Sequence, residues 1–255
     1  MKTKVIGSGD VPLVLLNDWF GDHRTYEPAL PYLDDRRLVF ADLRGYGLAR
    51  DAEGFTLEDA VADVSGLLRE IGPADLVGHS MSSLVAQQVA VSRPESVRRL
   101  VLVTPVAPRG MGTPDDVIAW LEQVGRDPAR REAELGARMA ARYGPAWARF
   151  KLARWADAAR PEAVAAYVRM YSRGTVTGSA PPNLPTLAIV GMHDDPPFQA
   201  ATVRAQHGAF WPGLEIVELP SGHYPMQECP PAFANALTAF LDDRVADSAG
   251  QGAPE

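Results

Sequence analysis

Short apolar segments that alternate with amphipathic helical patterns constrain the fold of this chain most strongly. Segments of this kind have the length of strands, and their continuous apolar character is typical of strands buried on both faces. Alternation with helices predicts an α/β fold, with a mostly parallel sheet flanked by helices. The predicted strands are 12–17, 38–42, 74–78, 100–105, 186–191 and 214–219.

The helical patterns between these strands have recognisable ends. Thr56 with Asp59 three residues later is typical of a capping box, and Gly72-Pro73 predicts the end of that helix. Few residues precede the first long strand, which predicts a short N-terminal edge of the sheet. Further helices are predicted over 83–92, 198–207 and 231–243.

The alternation stops in the middle of the chain, where four helical segments follow one another. These segments are Asp115–Val124, Pro128–Tyr143, Pro145–Ala159 and Pro161–Ser172. We therefore predict an α/β core formed by residues 1–106 and 183–245, with a four-helix insertion over residues 107–182.

The composition limits the binding partners and the cellular compartment that we expect for this chain. The chain has 25 Lys and Arg against 32 Asp and Glu, a net charge of −7, which disfavours nucleic acid and anionic membrane surfaces. The N-terminus lacks the apolar stretch of a signal peptide, and the single cysteine argues against a disulfide framework. We expect a cytoplasmic monomer or homodimer that binds a small-molecule substrate, with a disordered tail over residues 246–255.

Ser80 stands at a strand-to-helix junction, within Gly78-His79-Ser80-Met81-Ser82. Such a turn presents the serine hydroxyl at the carboxyl end of the strand, where the free N–H groups and the dipole of the helix favour a developing negative charge. Gly78 and Ser82 are small, as the close approach of neighbouring strands requires. Ser80 is therefore a candidate nucleophile, and the alternative is an ordinary junction with a capping serine.

A serine nucleophile needs a histidine that takes its proton and a carboxylate that orients the histidine. The predicted strand 186–191 is followed by two adjacent acids, Asp194 and Asp195, and either is suitably placed at the carboxyl end of a late strand. The predicted strand 214–219 leads to His223, which is the candidate base.

Four motifs in this order resemble those of the α/β-hydrolase superfamily along nearly the whole chain. They are Asp42-Leu43-Arg44-Gly45-Tyr46-Gly47, Gly78-His79-Ser80-Met81-Ser82, Gly191-Met192-His193-Asp194 and Gly222-His223. The resemblance implies an α/β-hydrolase fold in which residues 107–182 form a helical cap. It also implies a catalytic triad of Ser80, His223 and Asp194, with Asp194 rather than Asp195 in the position of the acid.

The loop after the first long predicted strand departs from the pattern of that superfamily. Members usually carry His-Gly there, whereas this chain has Asn17-Asp18 before Trp19. The resemblance implies an oxyanion hole formed by the backbone N–H groups of Trp19 and Met81. Because Asn and Asp adopt left-handed backbone angles more readily than most residues, we expect the loop to keep its shape.

Asp18 has two interpretations. In the first, it faces outward and is held by hydrogen bonds of the loop. In the second, it is a pocket group that binds or protonates the substrate. An ionised carboxylate beside an oxyanion hole opposes catalysis unless it points away or pairs with a cation such as Arg24.

Aromatic side chains of the cap and of the oxyanion loop are candidates for the substrate pocket. A cap excludes water from the nucleophile and shapes the pocket above it. Most aromatic residues of the cap must hold its helices together, whereas a few should face Ser80. The substrate-binding candidates are Asp18, Phe20, Trp120, Trp147, Trp155 and Tyr171.

The other histidines and the cysteine have structural interpretations. His79 is expected to pack beneath the serine turn, and His193 to lie at the surface or the rim of the site. His23 and His207 are expected to be structural or exposed, and Cys229 to serve in packing.

These features predict a serine hydrolase that cleaves an ester or lactone of a small, largely apolar or aromatic substrate through an acyl-enzyme. One alternative is C–C bond or non-hydrolytic chemistry with histidine as base, because residues 19–26 are loosely similar to a loop of cofactor-free dioxygenases. Another is a ligand-binding regulator, because Gly78 to Ser83 is similar to the turn of hydrolase-like regulators and receptors. No metal-ligand spacing and no Gly-rich phosphate loop occur, so we expect neither a metal nor a cofactor.

Overall fold

A central sheet carries the fold. The computed structural model describes residues 1–33, 36–139 and 143–242, and of residues 138 and 139 only the backbone. The strands of this part of the chain are β1 Thr3–Ile6, β2 Pro12–Leu16, β3 Arg37–Ala41, β4 Ala74–His79, β5 Val97–Val103, β6 Thr186–Gly191 and β7 Leu214–Leu219. They form one seven-stranded sheet in the order β1-β3-β2-β4-β5-β6-β7. Only β1 and β3 pair antiparallel, which confirms the predicted, mostly parallel α/β sheet.

Helices flank this sheet, and four of them follow one another between β5 and β6. The described α-helices are α1 Leu57–Ile71, α2 Met81–Ser92, α3 Asp115–Leu121, α4 Pro128–Met139, α5 Pro145–Ala158, α6 Pro161–Arg173, α7 Ala200–His207, α8 Pro225–Glu228 and α9 Pro230–Asp242. Short 3-10 helices cover His23–Tyr32, Gly47–Ala49, Pro94–Ser96 and Pro196–Phe198. The described helices include none with both the length and the apolar character that a membrane span requires.

The helix boundaries follow the chemistry of the caps. The Thr56 side chain accepts a hydrogen bond from the backbone N–H of Asp59, and the Asp59 side chain accepts one from the backbone N–H of Thr56. This is the predicted capping box, and Gly72 ends α1 with a φ of 85°. Since β4 is buried along its whole length, its carboxyl end delivers Ser80 into the interior of the protein.

The edge strand β1 was absent from the sequence prediction. Its residues Thr3, Lys4, Val5 and Ile6 are mostly exposed, so they do not form the continuous apolar run by which the other strands were recognised. Pairing with β3 supplies the hydrogen bonds of this strand instead.

Four consecutive helices, α3 to α6, lie between β5 and β6, and this four-helix insertion is referred to below as the cap. Helix α3 ends at Leu121, three residues before the predicted end. The predicted end of the second cap helix at Tyr143 follows residues 140–142, which lie outside the described residues, as does the predicted disordered tail over 246–255.

Aromatic contacts hold the cap on the core. The Phe20 ring stacks on Trp155 of α5 with 4.3 Å between the ring centroids. The indole Nε1 of Trp19 donates a hydrogen bond to the backbone oxygen of Val164 in α6 at 2.9 Å. The loop after β2 is therefore fixed to two helices of the cap.

Candidate active site

Ser80 occupies a strained turn between β4 and α2. Its φ of 51° and ψ of −116° are sparsely populated by residues other than glycine. A Cβ added at Gly78 would lie 2.6 Å from the Cα of Ser83, so only glycine fits there. The Ser82 hydroxyl accepts a hydrogen bond from the backbone N–H of His79 at 3.0 Å and donates one to its carbonyl at 3.1 Å. Ser82 thus braces the turn at a position where the superfamily usually has glycine.

Ser80, His223 and Asp194 form a continuous hydrogen-bonded chain. The Oγ of Ser80 lies 2.8 Å from Nε2 of His223, whose Nδ1 lies 2.8 Å from Oδ2 and 3.1 Å from Oδ1 of Asp194. All three side chains are more than nine-tenths buried. Because a carboxylate only accepts hydrogen bonds, Nδ1 carries the proton and Nε2 is free to accept from the serine. Of the two adjacent acids, Asp194 and not Asp195 binds the imidazole.

Glu228 holds the loop that carries His223. Its Oε2 accepts a hydrogen bond from the backbone N–H of Gly222 at 2.6 Å, and its Oε1 accepts one from the backbone N–H of Tyr224 at 3.0 Å. The hydroxyl of Tyr143, which precedes α5 of the cap, donates to Oε2 at 2.6 Å. One carboxylate therefore fixes both peptide groups that flank His223 and joins them to the cap.

The side chain of Asn17 shapes the oxyanion loop. Its Nδ2 donates to the backbone oxygens of Asp18 and Gly21 at 2.8 and 3.0 Å, and its Oδ1 accepts from the N–H of Leu43 at 2.7 Å. Among the described residues, only Ser80 and Thr104 have a positive φ without being glycine. The expected left-handed angles at positions 17 and 18 are therefore wrong, and amide hydrogen bonds define this loop instead.

Asp18 faces the interior, so the interpretation in which it points outward is wrong. Its side chain is 2% exposed and lies close to Gly21, where an added Cβ would lie 1.7 Å from Oδ1 of Asp18. Burial raises the pKa of this carboxyl, but His79, Lys151 and His223 lower it by more, so that the pKa lies below its ordinary value. Arg24 instead pairs with Asp22 and Asp157.

A cavity of about 180 Å³ opens above Ser80. Of the predicted substrate-binding residues, Asp18 and Tyr171 line it, together with Ser80, His223 and the predicted oxyanion residue Trp19. The other described residues around it are Val106, Met111, Thr113, Leu121, Asp195, Pro197, Phe198 and Tyr224. The lining combines apolar and aromatic surface with two carboxyl groups.

Four of the predicted substrate-binding residues lie elsewhere, which corrects their assignment to the pocket. Phe20 and Trp155 stack on each other beside a separate small cleft. Trp147 stacks on Tyr143 with 4.8 Å between the ring centroids, and Trp120 lies under the guanidinium of Arg130. These aromatic side chains pack the cap and are absent from the described lining of the Ser80 cavity. An apolar pattern does not distinguish the two roles.

His79 lies beneath the serine turn, as its sequence position predicts. It is fully buried, and its Nε2 donates a hydrogen bond to the backbone oxygen of His223 at 2.8 Å. Burial lowers the pKa of His79 to about 4, so the ring is neutral at pH 7. His23 bonds Asp42 outside the cavity, and His193 is exposed.

His207 and Cys229 are also away from the cavity lining. His207 is buried and bonds the backbone oxygen of Val106, and Cys229 is half-buried with a free thiol. Within the described residues, no group of three or more His, Cys, Asp or Glu side chains has the arrangement of a metal site.

Three residues near the site escaped the sequence prediction. Phe198 packs its ring edge-on against His223 with 4.6 Å between the centroids, and Glu228 holds the loop of His223. Lys151 is buried in the cap, donates to Oε1 of Gln227 at 2.8 Å and lies 3.4 Å from the ring centroid of Tyr224. Of these, only Lys151 has a sequence signal, since it interrupts an aromatic stripe four residues from Trp147 and from Trp155.

A strand-to-helix nucleophile turn in a parallel sheet, with acid and histidine after later strands, defines a class of hydrolytic enzymes. The sequence model of the alpha/beta hydrolase family matches residues 13–236 of the chain. The chain therefore belongs to the α/β-hydrolase family.

Individual relatives differ in how much of the chain they cover. A pimeloyl-[acyl-carrier protein] methyl ester esterase of Yersinia enterocolitica is 28% identical over 92% of this chain and 95% of its own length. The karrikin insensitive 2 receptor CA of Petunia hybrida is 32% identical over 45% of each chain. Two Mycobacterium tuberculosis proteins are 38% identical, but the chain spans only 38% of their length.

Solved structures share the fold along most of the chain. The enol-lactonase from Burkholderia xenovorans superimposes with a TM-score of 0.78 and 21% identity, over 94% of this chain and 95% of that one. This similarity supports the α/β-hydrolase fold.

Proposed function

We propose that this chain is a serine hydrolase that cleaves a carboxylic ester or lactone of a small, largely apolar or aromatic substrate. The observation that carries the proposal is the hydrogen-bonded chain from Ser80 through His223 to Asp194, with 2.8 Å at each of the two links. Two proteins to which the chain is similar, a methyl ester esterase and an enol-lactonase, are named for the cleavage of this kind of bond.

The reaction proceeds through an acyl-enzyme. His223 takes the proton of Ser80 as the serine oxygen bonds to the carbonyl carbon. The bond to the leaving alcohol then breaks, and His223 returns the proton to that alcohol. Water then attacks the acyl carbon and gives a proton to His223. The bond between this carbon and the serine oxygen breaks, the acid is released, and His223 returns the proton to Ser80. Asp194 keeps the imidazole in the tautomer that accepts from Ser80.

Backbone N–H groups stabilise the developing oxyanion. Met81 is the first residue of α2, so its N–H has no partner within the helix and is the first proposed donor. The second donor is the N–H of Trp19, in the loop that Asn17 shapes. Loss of one such donor typically costs about 3–4 kcal/mol of transition-state stabilisation.

The dimensions of the cavity favour a small acyl group. Its volume of about 180 Å³ lies below that of pockets that enclose drug-sized ligands. Val106, Met111, Leu121 and Phe198 supply apolar surface, which suits short aliphatic or aromatic acyl groups.

Labelling with a fluorophosphonate tests the proposal without knowledge of the natural substrate. The wild type should form a covalent adduct at Ser80, located by peptide mass spectrometry, and should hydrolyse members of a panel of short esters and lactones. Ser80→Ala should lose both properties. Ser92→Ala, at the far end of the same helix, is the matched control and should behave as the wild type.

Two results would contradict the proposal. Absence of an adduct at Ser80 in correctly folded protein would show that Ser80 is not the nucleophile. Full turnover by Ser80→Ala would instead favour chemistry in which His223 acts directly as a base on the substrate.

A further inference from the structure

Asp18 is a buried carboxylate with too few hydrogen-bond donors. Its Oδ1 accepts one long hydrogen bond, from the hydroxyl of Thr25 at 3.4 Å. Within the part of the chain that the structure describes, the other hydrogen bond to this carboxylate comes from the backbone N–H of Asp18 itself. Buried carboxylates are normally satisfied by several donors, because removal of the charge from water is costly. The deficit at Asp18 therefore requires an explanation.

His79 cannot supply the missing donor. Its Nδ1 lies 3.9 Å from Oδ1 of Asp18 and is itself buried without a hydrogen-bond partner. Because Nε2 must donate to the backbone oxygen of His223, Nδ1 of the neutral ring is an acceptor. Burial lowers the pKa of His79 to about 4, which keeps the ring neutral at pH 7. Two acceptors thus face each other beneath the oxyanion loop.

The nearest cation is directed elsewhere. The ammonium of Lys151 donates to Gln227 at 2.8 Å and lies on the ring of Tyr224. It lowers the pKa of Asp18 through space but forms no ion pair with it within 4.0 Å. Lys151 therefore favours the ionised form of Asp18 and leaves its oxygens available.

The position of Asp18 relates the deficit to the reaction. Asp18 lines the same cavity as Ser80 and directly precedes Trp19, the proposed oxyanion donor. Gly21 leaves the space that the carboxylate occupies. We propose that Asp18 selects substrates that carry a hydroxyl or protonated amine within a few bonds of the scissile carbonyl, and that this donor binds the Asp18 carboxylate. This inference rests on the proposed esterase function and adds the chemical class of the substrate.

The expected preference for substrates that carry the donor can be given as a ratio of kcat/KM values. A hydrogen bond to a charged partner that is formed only with the right substrate changes kcat/KM by roughly 10-fold to 100-fold. A methyl group in place of the donor leaves the carboxylate buried and unsatisfied, whereas a substrate carboxylate is repelled.

Pairs of esters that differ by hydroxyl against methyl test the proposal. For the acyl side, ethyl β-hydroxybutyrate is compared with ethyl isovalerate. For the alcohol side, ethylene glycol monobutyrate is compared with propyl butyrate. The values of kcat/KM come from a pH-stat. We expect the wild type to prefer the hydroxylated member of at least one pair by roughly 10-fold or more, which also assigns the side on which the donor lies.

Two variants locate the source of the preference. Asp18→Asn has nearly the same shape without the charge and should bring the ratio of kcat/KM between the hydroxylated and the methyl ester close to one. Asp116→Asn removes a carboxylate from the exposed face of α3 and should keep the wild-type ratio. Equal turnover of both members of both pairs by the wild type would overturn the proposal. A preference that survives in Asp18→Asn, or that is lost equally in Asp116→Asn, would also overturn it.

A binding measurement separates this proposal from the proposed function. Calorimetry with Ser80→Ala compares β-hydroxybutyramide with isovaleramide, and glycol with propanol, so no turnover is needed. Tighter binding of a hydroxylated ligand that disappears in the double variant with Asp18→Asn supports the subsite even if no ester is hydrolysed. Equal binding of both members of each pair refutes the subsite even if ester hydrolysis is confirmed.

Discussion

Glu228→Gln is the most informative perturbation of the catalytic geometry outside the three reacting residues. The glutamate accepts hydrogen bonds from the backbone N–H groups of Gly222 and Tyr224 and from the hydroxyl of Tyr143. Glutamine has almost the same shape but keeps only one acceptor oxygen. Its amide N–H groups would face one of the two backbone donors that flank His223.

The size of the effect follows from these contacts. One hydrogen bond to a charged acceptor is lost, which costs about 1.5–3 kcal/mol, and the others lose their charge assistance. Part of this cost appears as lower stability and part as misplacement of the imidazole. Since about 1.4 kcal/mol is a factor of ten in rate, we expect the activation of Ser80 to fall by about 10-fold to 100-fold.

The second-order rate constant of fluorophosphonate labelling reports this activation directly. Glu228→Asp keeps the charge on a shorter side chain and should recover part of the rate. Tyr143→Phe removes the link to the cap, keeps both backbone hydrogen bonds, and should label within about threefold of the wild type. KM for a short ester should change little in all three variants, because Glu228 is absent from the described cavity lining.

One result would refute this reasoning. If Glu228→Gln labels at the wild-type rate while circular dichroism shows a native fold, the carboxylate does not position His223. A fall of equal size in Tyr143→Phe would assign the effect to the cap rather than to the two peptide groups.

Further predictions concern the acid, the buried lysine and the contact between cap and core. Asp194→Asn should lower the labelling rate by about 10⁴-fold with native circular dichroism, because the imidazole loses its tautomer; a change of less than tenfold would contradict this role. Burial lowers the pKa of Lys151 to about 8. Since the unfolded chain then binds more protons between about pH 8 and 10.4, wild-type stability in urea should rise across that window by up to about 3 kcal/mol. In Lys151→Met this rise should be absent, and an unchanged rise would assign it to another group. Phe20→Ala should lower the free energy of unfolding by about 3–5 kcal/mol, since it removes the stack on Trp155, whereas Phe20→Leu should cost clearly less.

Some features could be predicted from the sequence because they depend on local pattern and topology. Ser80, Asp194 and His223 each follow a strand, and the carboxyl ends of parallel strands meet at one edge of the sheet. The structure brings these three side chains within hydrogen-bond distance. The mostly parallel α/β sheet and the four-helix insertion were predicted for the same reason, whereas the α/β-hydrolase fold was implied by the resemblance of four motifs to that superfamily.

Other features depend on how distant segments meet. Strand β1 escaped prediction because it is exposed and owes its conformation to pairing with β3. Glu228 carries no local signal of its role, because its partners Gly222 and Tyr224 become neighbours only when the chain turns into α8. Periodicity marks Trp155 as buried but does not distinguish a pocket wall from the stack with Phe20.

The departure at Asn17-Asp18 shows a third limit. Backbone preference suggested left-handed angles, whereas the loop is held by the amide of Asn17, which reaches Leu43 from the neighbouring strand's end. A loop that is held by side-chain hydrogen bonds instead of left-handed backbone angles cannot be recognised from a pattern in a single sequence.

The separation between aromatic residues that fasten the cap and residues that surround the nucleophile has a consequence for engineering. Phe20 stacks on Trp155, and Trp147 stacks on Tyr143. Met111 and Leu121 line the cavity and take no part in these two stacks. A mutant library restricted to these last two positions can therefore reshape the acyl specificity without removing any of those aromatic stacks.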